Sequence, residues 1–375
     1  MIRMSRFPEG NAIVYCEEAF NSPNGKTAHG LVRFTRRYRV MAVVDSTLAG
    51  QDAGRFLDGR PNSIPIVSSI EAGLKAASEA GAEATHLVIG LAPDGGRLEA
   101  RHRKRIKRAL ELGLNLDSGL HDFLSEDPEF SRLARERGLT IRDVRKPPQR
   151  SELHFFQGKI EEVDSFKVAL LGTDSALGKR TTALILTEAL NRAGVETQMI
   201  GTGQTSWMQG VDHGLILDSL VNDFVAGEIE HAVWSAWQES RPEVIIIEGQ
   251  GSLLNPAFPG GFEILAAGRP EVIILQHAPA REEYDGFPGY PLHPLDRQIK
   301  ALEILSDSPV AAVTLNHEGL DPGETARAAK EIEQETGLPC LDVLLDGPGR
   351  LVELISGLAR EKREALGRDQ AQKAD

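Results

Sequence analysis

The sequence predicts an α/β protein in two parts, a Rossmann-like N-terminal domain over residues 1–150 and a P-loop domain with a doubly wound parallel sheet over residues 151–375. Three observations carry this. Short apolar runs alternate with helical patterns along the whole chain, the order expected of parallel strands joined by crossover helices. The alternation is broken once, at RKPPQRSE (Arg145 to Glu152), where paired prolines and a charge cluster mark a boundary. Beyond it, an apolar strand runs into a glycine loop and a lysine that opens a helix. A chain of 375 residues also exceeds the usual size of one hydrophobic core.

In the first part, AIVYC (Ala12 to Cys16), VMAVVD (Val40 to Asp45), HLVIG (His86 to Gly90) and LTIRDV (Leu139 to Val144) read as strands. Ser69 to Gly81 reads as a helix opened by a serine N-cap. No GxGxxG follows the first strand, so the dinucleotide fingerprint is missing, and Asp45 reads as a plain strand-end acid.

The apolar fraction of 41% and charged fraction of 26% are those of an ordinary globular protein. No apolar run is long enough to cross a bilayer and the N-terminus lacks an apolar signal core, so a cytoplasmic protein without membrane contact is expected. Cys16 and Cys340 have no disulfide or zinc spacing and read as small buried side chains. The net charge of −13 is uneven, with an excess of five positive charges before residue 151 and of eighteen negative charges after it. The basic excess centres on RLEARHRKRIKR (Arg97 to Arg108), read as a solvated helix face, with docking onto an acidic surface as the sharper alternative. Nucleic acid is not an expected partner, since aromatic interleaving is missing and the protein is acidic.

The second part begins its own alternation. FKVALLG (Phe166 to Gly172), EVIIIEG (Glu243 to Gly249), EVIILQH (Glu271 to His277) and VAAVTLN (Val310 to Asn316) are near-continuous apolar runs, as in strands covered on both faces. Ala278 to Pro294, rich in Pro, Gly and Tyr and without period, reads as an ordered active-site loop. The main chemical signal is VALLGTDSALGKRTTAL. A strand, a glycine loop and a helix N-terminus turn backbone N–H groups toward one point and set a lysine beside them, which makes a phosphate cradle. Its expected binding residues are Gly172, Thr173, Asp174, Ser175, Gly178, Lys179, Arg180, Thr181 and Thr182. The loop is one residue longer than GxxxxGK[ST] and resembles that of dethiobiotin synthetase. Arg180 stands where Ser or Thr normally ligates Mg²⁺, and Thr181 is rotated by roughly 100° from that direction. The loop therefore suits phosphates without requiring nucleotide hydrolysis.

Glu248, at the carboxyl end of a buried strand, points to the ligand crevice of such a sheet, as a general base or an Mg²⁺-orienting acid. Gln250, Gly251 and Ser252 follow it and allow close backbone approach to a ligand. Gln204 and Thr205, after a further strand, suit polar substrate contacts. Asp223 reads equally as a surface acid or a functional one, and His277 equally as an acid/base residue or a structural one. Asn316 ends a strand where related P-loop folds contact a nucleotide base. The ten histidines show no HxH or HExxH spacing, so no transition-metal site is expected.

With these motifs in place, the chain resembles the D-glutamate N-acetyltransferase family, formerly filed as a domain of unknown function, in which a Rossmann-like domain precedes a P-loop domain. The resemblance runs from HGLVR and VVDSTLAG to LNHEG and is most specific in GTDSALGKRTTAL, GTGQTS, LVNDFVAGEIE and IIEGQGSL. The family's loop also lacks a hydroxyl directly after its lysine. The resemblance implies transfer of an acetyl group from acetyl-CoA to the amine of an amino acid, D-glutamate first, by a homo-oligomer. For such a reaction Glu248 is the leading base, with Asp174, Asp223 and His277 behind it. The backbone N–H groups of Gly249 to Ser252 are the expected oxyanion donors, and Arg281 is the expected holder of a substrate carboxylate. Two other readings stand beside this one. An ATP-dependent ligase or kinase resembling dethiobiotin synthetase would bind Mg²⁺, and a nucleotide-sensing P-loop protein would not turn over.

Overall fold

The apolar runs become parallel strands in the computed structural model, which describes residues 8–374. In the first part the strands are β1 (Gly10–Tyr15), β2 (Tyr38–Val44), β3 (Ile66–Val67), β4 (His86–Ile89), β5 (Asn115–Ser118) and β6 (Ile141–Asp143). They pair in parallel in the order β3-β2-β1-β4-β5-β6, the Rossmann arrangement. The helices between them are α1 (Lys26–Arg33), α2 (Ala53–Asp58), α3 (Ile70–Glu79), α4 (Ala100–Glu111) and α5 (Pro128–Arg137). Ser69 caps α3 by accepting the Ala72 N–H, as its position in the sequence predicts. Asp45 is also structural: its carboxylate accepts the amides of Phe20 and Thr47, both at 3.0 Å.

Two strands of this sheet escaped the apolar pattern. β3 is two residues long, and β5 reads Asn-Leu-Asp-Ser. Asp117 on β5 is fully buried, and its carboxylate accepts the Tyr38 hydroxyl at 2.5 Å and two Arg142 donors at 2.5 and 2.6 Å. A charge is tolerated there because every lone pair that needs a partner has one. The basic stretch is α4, and its cations pair with acids of the same unit. Lys107 meets Glu129 at 2.5 Å and Arg108 meets Glu71 at 3.0 Å, while Arg103 and Arg105 pair with Asp127 and Glu17. It is an ion-paired helix face of its own unit.

In the second part the strands are β7 (Phe166–Gly172), β8 (Thr197–Gly201), β9 (His213–Gly214), β10 (Val244–Glu248), β11 (Val272–His277), β12 (Val310–Leu315) and β13 (Cys340–Leu341). Their order is β13-β12-β11-β7-β10-β8-β9, again parallel, with β7 in the middle and every β7 residue buried. The helices are α6 (Lys179–Arg192), α7 (Gln204–Met208), α8 (Asn222–Ser240), α9 (Phe262–Gly268), α10 (Leu295–Ser306), α11 (Pro322–Thr336) and α12 (Gly349–Ala374). The chain divides into two compact units, one reaching to Pro148 and including Gln204–Val211, the other made of Gln149–Gly203 and the chain from Asp212 onward. α7 thus belongs to the first unit. Trp207 lies under the Arg37 guanidinium at 3.8 Å, Met208 enters the core around β1, and Gln209 donates to the carbonyls of Gly30 and Phe34.

The segment following the domain boundary is tied across α8. The amide of His154 donates to Glu228 at 2.6 Å, and those of Gln157 and Ile160 donate to the buried Glu230 at 2.6 and 3.2 Å. Gly227 lets the strap pass, because a Cβ there would lie 2.0 Å from the His154 carbonyl oxygen. The family-like motif LVNDFVAGEIE is, at these three positions, a fastening for the strap. Gly227→Ala should therefore destabilise by about 1–3 kcal/mol, the usual cost of overpacking, and lower the melting temperature by roughly 3–10 °C. A calorimetric scan of the variant beside the parent checks this.

Candidate active site

β7 delivers the chain to the loop at Gly172, and β11 receives its first residue, since the Thr173 amide donates to the Gln276 carbonyl at 3.0 Å. A Cβ at Gly172 would sit 2.9 and 3.0 Å from Lys179 Cδ and Nζ, so a larger residue would displace the lysine stem that folds over the loop. Lys179 is buried, and its ammonium donates to the carbonyls of Asp174 and Gly251 at 2.7 and 2.8 Å. Ala176 and Gly178 have φ of 52° and 91°. Alternation of left- and right-handed residues curls successive amides inward into a nest. The N–H groups of Ala176, Leu177 and Gly178 donate to no acceptor among the described residues. A left-handed alanine is strained, and such strain persists where the geometry serves a site. The loop is thus a set of convergent donors at the positive end of α6.

Asp174 organises the surroundings. It is fully buried and accepts four hydrogen bonds. The Ser175 amide and Asn255 Nδ2 reach Oδ1, both at 2.7 Å, while Arg281 Nη1 and the Asp285 amide reach Oδ2, both at 2.8 Å. With both oxygens engaged, Asp174 is a structural hub and is removed from the candidate bases. Arg281 also donates to the Ser175 carbonyl at 2.9 Å and to Glu318 at 2.6 Å, so its guanidinium holds the loop and is not left open for a substrate carboxylate. The aperiodic segment 278–294 is ordered against the cradle by these contacts, by Ser175 Oγ donating to Asp285 at 3.0 Å, and by the buried Tyr284, whose hydroxyl meets His293 at 2.9 Å.

Glu248 ends β10, is 5% exposed, and accepts the Thr202 amide at 3.0 Å. Gln250 Nε2 donates to the Thr202 carbonyl at 2.8 Å. The expected oxyanion donors contract to Gln250 and Gly251, since the Gly249 amide is bonded to Leu170 and that of Ser252 to Phe258. The Ser252 hydroxyl is buried and has no partner among the described residues. Thr182 faces the sheet, donating to Gln276 Oε1 at 2.7 Å beside Thr314, which does the same. Thr181 and Arg180 are half-buried in the first turn of α6. Asn316 Nδ2 donates to the Leu177 carbonyl at 3.0 Å, bracing the nest from β12's end.

The remaining expected residues lie elsewhere. Asp223 is exposed in the first turn of α8. Gln204 and Thr205 are on α7 in the first unit, where Arg145 donates to Gln204 at 3.0 Å and Thr205 shares a hydrogen bond with Thr27 at 3.0 Å. Asn255, Gln276 and Asp285 were missed as site residues. Nothing in their local sequence marks them, because their roles depend on the fold bringing three loops to Asp174 and β11.

Residues 154–352 match a P-loop domain of unknown function (DUF1611_C), and residues 46–147 match the Rossmann-like domain that accompanies it (DUF1611_N). The chain belongs to the DUF1611 family. A DUF1611 family protein from Anabaena variabilis has the same fold in its crystal structure, with a TM-score of 0.84, 31% identity, and 93% of this chain and 99% of that one covered. A D-glutamate N-acetyltransferase from Tritonibacter scottomollicae is 32% identical over 291 residues, 76% of this chain and 84% of its own. Another from Pseudoalteromonas sp. is 29% identical over 272 residues, 71% and 79% respectively. This DUF1611 protein is accordingly an enzyme of the acyltransferase class, an N-acetyltransferase.

Within the DUF1611 loop, His277 contacts Thr173, Nδ1 lying 3.0 Å from Oγ1. Burial, with Arg281 adding repulsion, lowers the His277 pKa from 6.5 to about 4. The unfolded chain takes up this proton near pH 6.5, whereas the folded one resists until about pH 4. The contribution to stability is therefore complete above pH 6.5 and is lost as pH falls through that window, by at most about 3 kcal/mol. His277→Gln should flatten the fall in urea-denaturation stability between pH 7 and pH 4.5. An equal slope in parent and variant would show that other groups set the acid sensitivity.

Proposed function

We propose that the P-loop unit binds acetyl-CoA through its phosphates and transfers the acetyl group to the amine of an amino acid, D-glutamate first. The observation that carries this reading is the nest of three amides at Ala176, Leu177 and Gly178, which donate to no acceptor among the described residues, beside the buried Lys179 ammonium. Coenzyme A brings a pyrophosphate and a 3′-phosphate, which suit such a cradle. Arg180 replaces the Mg²⁺-binding hydroxyl, and Thr182 is turned into the sheet toward Gln276, which favours a phosphate ligand held without Mg²⁺. The two named relatives favour D-glutamate as the amine.

The chemistry needs a free amine, a polarised thioester and an exit for the thiol. Glu248 is the proposed base, taking a proton from the substrate ammonium so that the nitrogen lone pair attacks the thioester carbonyl. The Gln250 and Gly251 amides are the proposed donors to the tetrahedral oxyanion. Its collapse breaks the carbon–sulfur bond, and the leaving thiolate takes up the second proton, which the attacking nitrogen sheds as the amide forms.

Calorimetry with acetyl-CoA and with ATP·Mg²⁺ tests the ligand. Acetyl-CoA should bind without divalent cation, and Lys179→Ala should weaken it by about 1–3 kcal/mol, as for a charge-assisted contact, in a variant that still folds. Preference for ATP, abolished by a chelator, would overturn the proposal. Glu248→Gln should lower the rate of acetyl-CoA-dependent thiol release with D-glutamate by roughly 10²–10⁴ while leaving acetyl-CoA affinity near that of the parent. A near-normal rate would leave Glu248 as a fastening of the β8 end alone.

A further inference from the structure

Two loops beside the phosphate nest carry aromatic rings on the protein surface. Phe258 and Tyr290 are 55% and 56% exposed. Phe287 lies between them, with ring centroids 6.1 Å from Phe258 and 6.4 Å from Tyr290, both pairs steeply inclined. Phe258 comes from the loop after β10, whereas Phe287 and Tyr290 come from the aperiodic loop after β11. Phe258 and Tyr290, with the part-exposed Phe287 between them, leave contiguous apolar area in water, a feature that marks ligand grooves and interaction sites.

Both loops are pinned to the same carboxylate. Asn255 donates to Asp174 and, through its own Oδ1, accepts the amides of Ala257 and Phe258 at 2.8 and 2.7 Å. On the other side, the Asp285 amide donates to Asp174 two residues before Phe287, and Leu292 and Tyr284 close the loop on Glu282 and Tyr290 by backbone bonds of 2.7 and 3.0 Å. Ser252 ties its amide to the Phe258 carbonyl at 3.2 Å, while its neighbour Gly251 accepts from Lys179. Asp174 is itself two residues from the first nest amide. The rings are thus held in register with the phosphate-binding amides by short, buried connections.

We propose that Phe258, Phe287 and Tyr290 form the seat on which the planar heterocyclic base of the phosphate-bearing donor stacks. The proposal rests on the reading of the loop as a coenzyme A site. A phosphate held at a nest leaves the base of the same nucleotide within reach of adjoining loops, and exposed aromatic faces are the side chains that hold bases without reading their edges. Tyr284, the fourth ring of this region, is buried and bonded to His293, so it supports the loop from within.

The test compares two donors on the full-length protein. Acetyl-CoA carries the base, and S-acetyl-4′-phosphopantetheine offers the thioester and one phosphate without it. Phe258→Ala and Tyr290→Ala should each weaken acetyl-CoA binding roughly ten-fold by calorimetry, leave acetyl-phosphopantetheine binding unchanged, and keep the parent's melting temperature. Phe258→Trp, which preserves a stacking face, should bind acetyl-CoA as the parent does. Equal weakening of both donors, or no weakening of either, overturns the seat. So does dissociation of an oligomer in sedimentation velocity with acetyl-CoA affinity intact, which would assign the patch to a second copy of the chain. Lys179→Ala in the same series separates the two ideas: if it weakens acetyl-CoA while the ring variants do not, only the seat fails. If it too is without effect, the coenzyme reading of the loop fails.

Discussion

One buried carboxylate sets the geometry on which the candidate active site depends. Asp174 is fully buried, and its four donors come from three separate stretches of chain. An unpaired charge in that position would be expelled or neutralised, so the acid is stable there only while all of those stretches converge. The constraint is reciprocal. The loop after β10 and the aperiodic loop after β11 lack repeating backbone bonds, and they are ordered because each owes a donor to Asp174.

Around this hub, the machinery of an ordinary P-loop has been redistributed. The lysine remains, but its ammonium is held by two backbone carbonyls, Asp174 and Gly251, so it links the nest to the turn behind Glu248. Arg180 occupies the usual metal-ligating position. Of the two threonines that follow, Thr182 is committed to Gln276, which also receives Thr314. The result is a cradle of amides with one buried cation and a sheet-side polar cluster, a composition suited to anchoring an anion rather than to splitting one.

The first unit has the Rossmann strand order without the glycine fingerprint. Asp45, the residue most like a ribose-binding acid, is occupied with the amides of Phe20 and Thr47. Its sheet is closed by a polar network of Tyr38, Asp117 and Arg142, and it takes α7 from the later part of the chain into its core. A topology shared with nucleotide-binding proteins therefore comes without the glycine fingerprint and with its strand-end acid engaged in holding the fold.

The sequence by itself determined the two-part α/β architecture, the central strand β7, the phosphate loop and the family resemblance. Each is written in contiguous residues: an apolar run long enough to be covered on both faces, glycines where φ or close approach demands them, and a lysine at a helix start. Short strands such as β3 and the polar β5 were not legible, because two residues show no period and Asp117 is buried by partners distant in the chain. The roles of the acids were also decided by tertiary structure. From sequence, Glu248 leads as the candidate base and Asp174, Asp223 and His277 stand behind it, with nothing in the local sequence to separate those three. Folding separates them, for Asp174 is saturated by donors, Asp223 is exposed, His277 is held neutral by burial, and Glu248 is kept at the end of β10. Asp174 is a hub because of the number of donors the rest of the chain brings to it, and those donors arrive through contacts up to 111 positions apart in sequence.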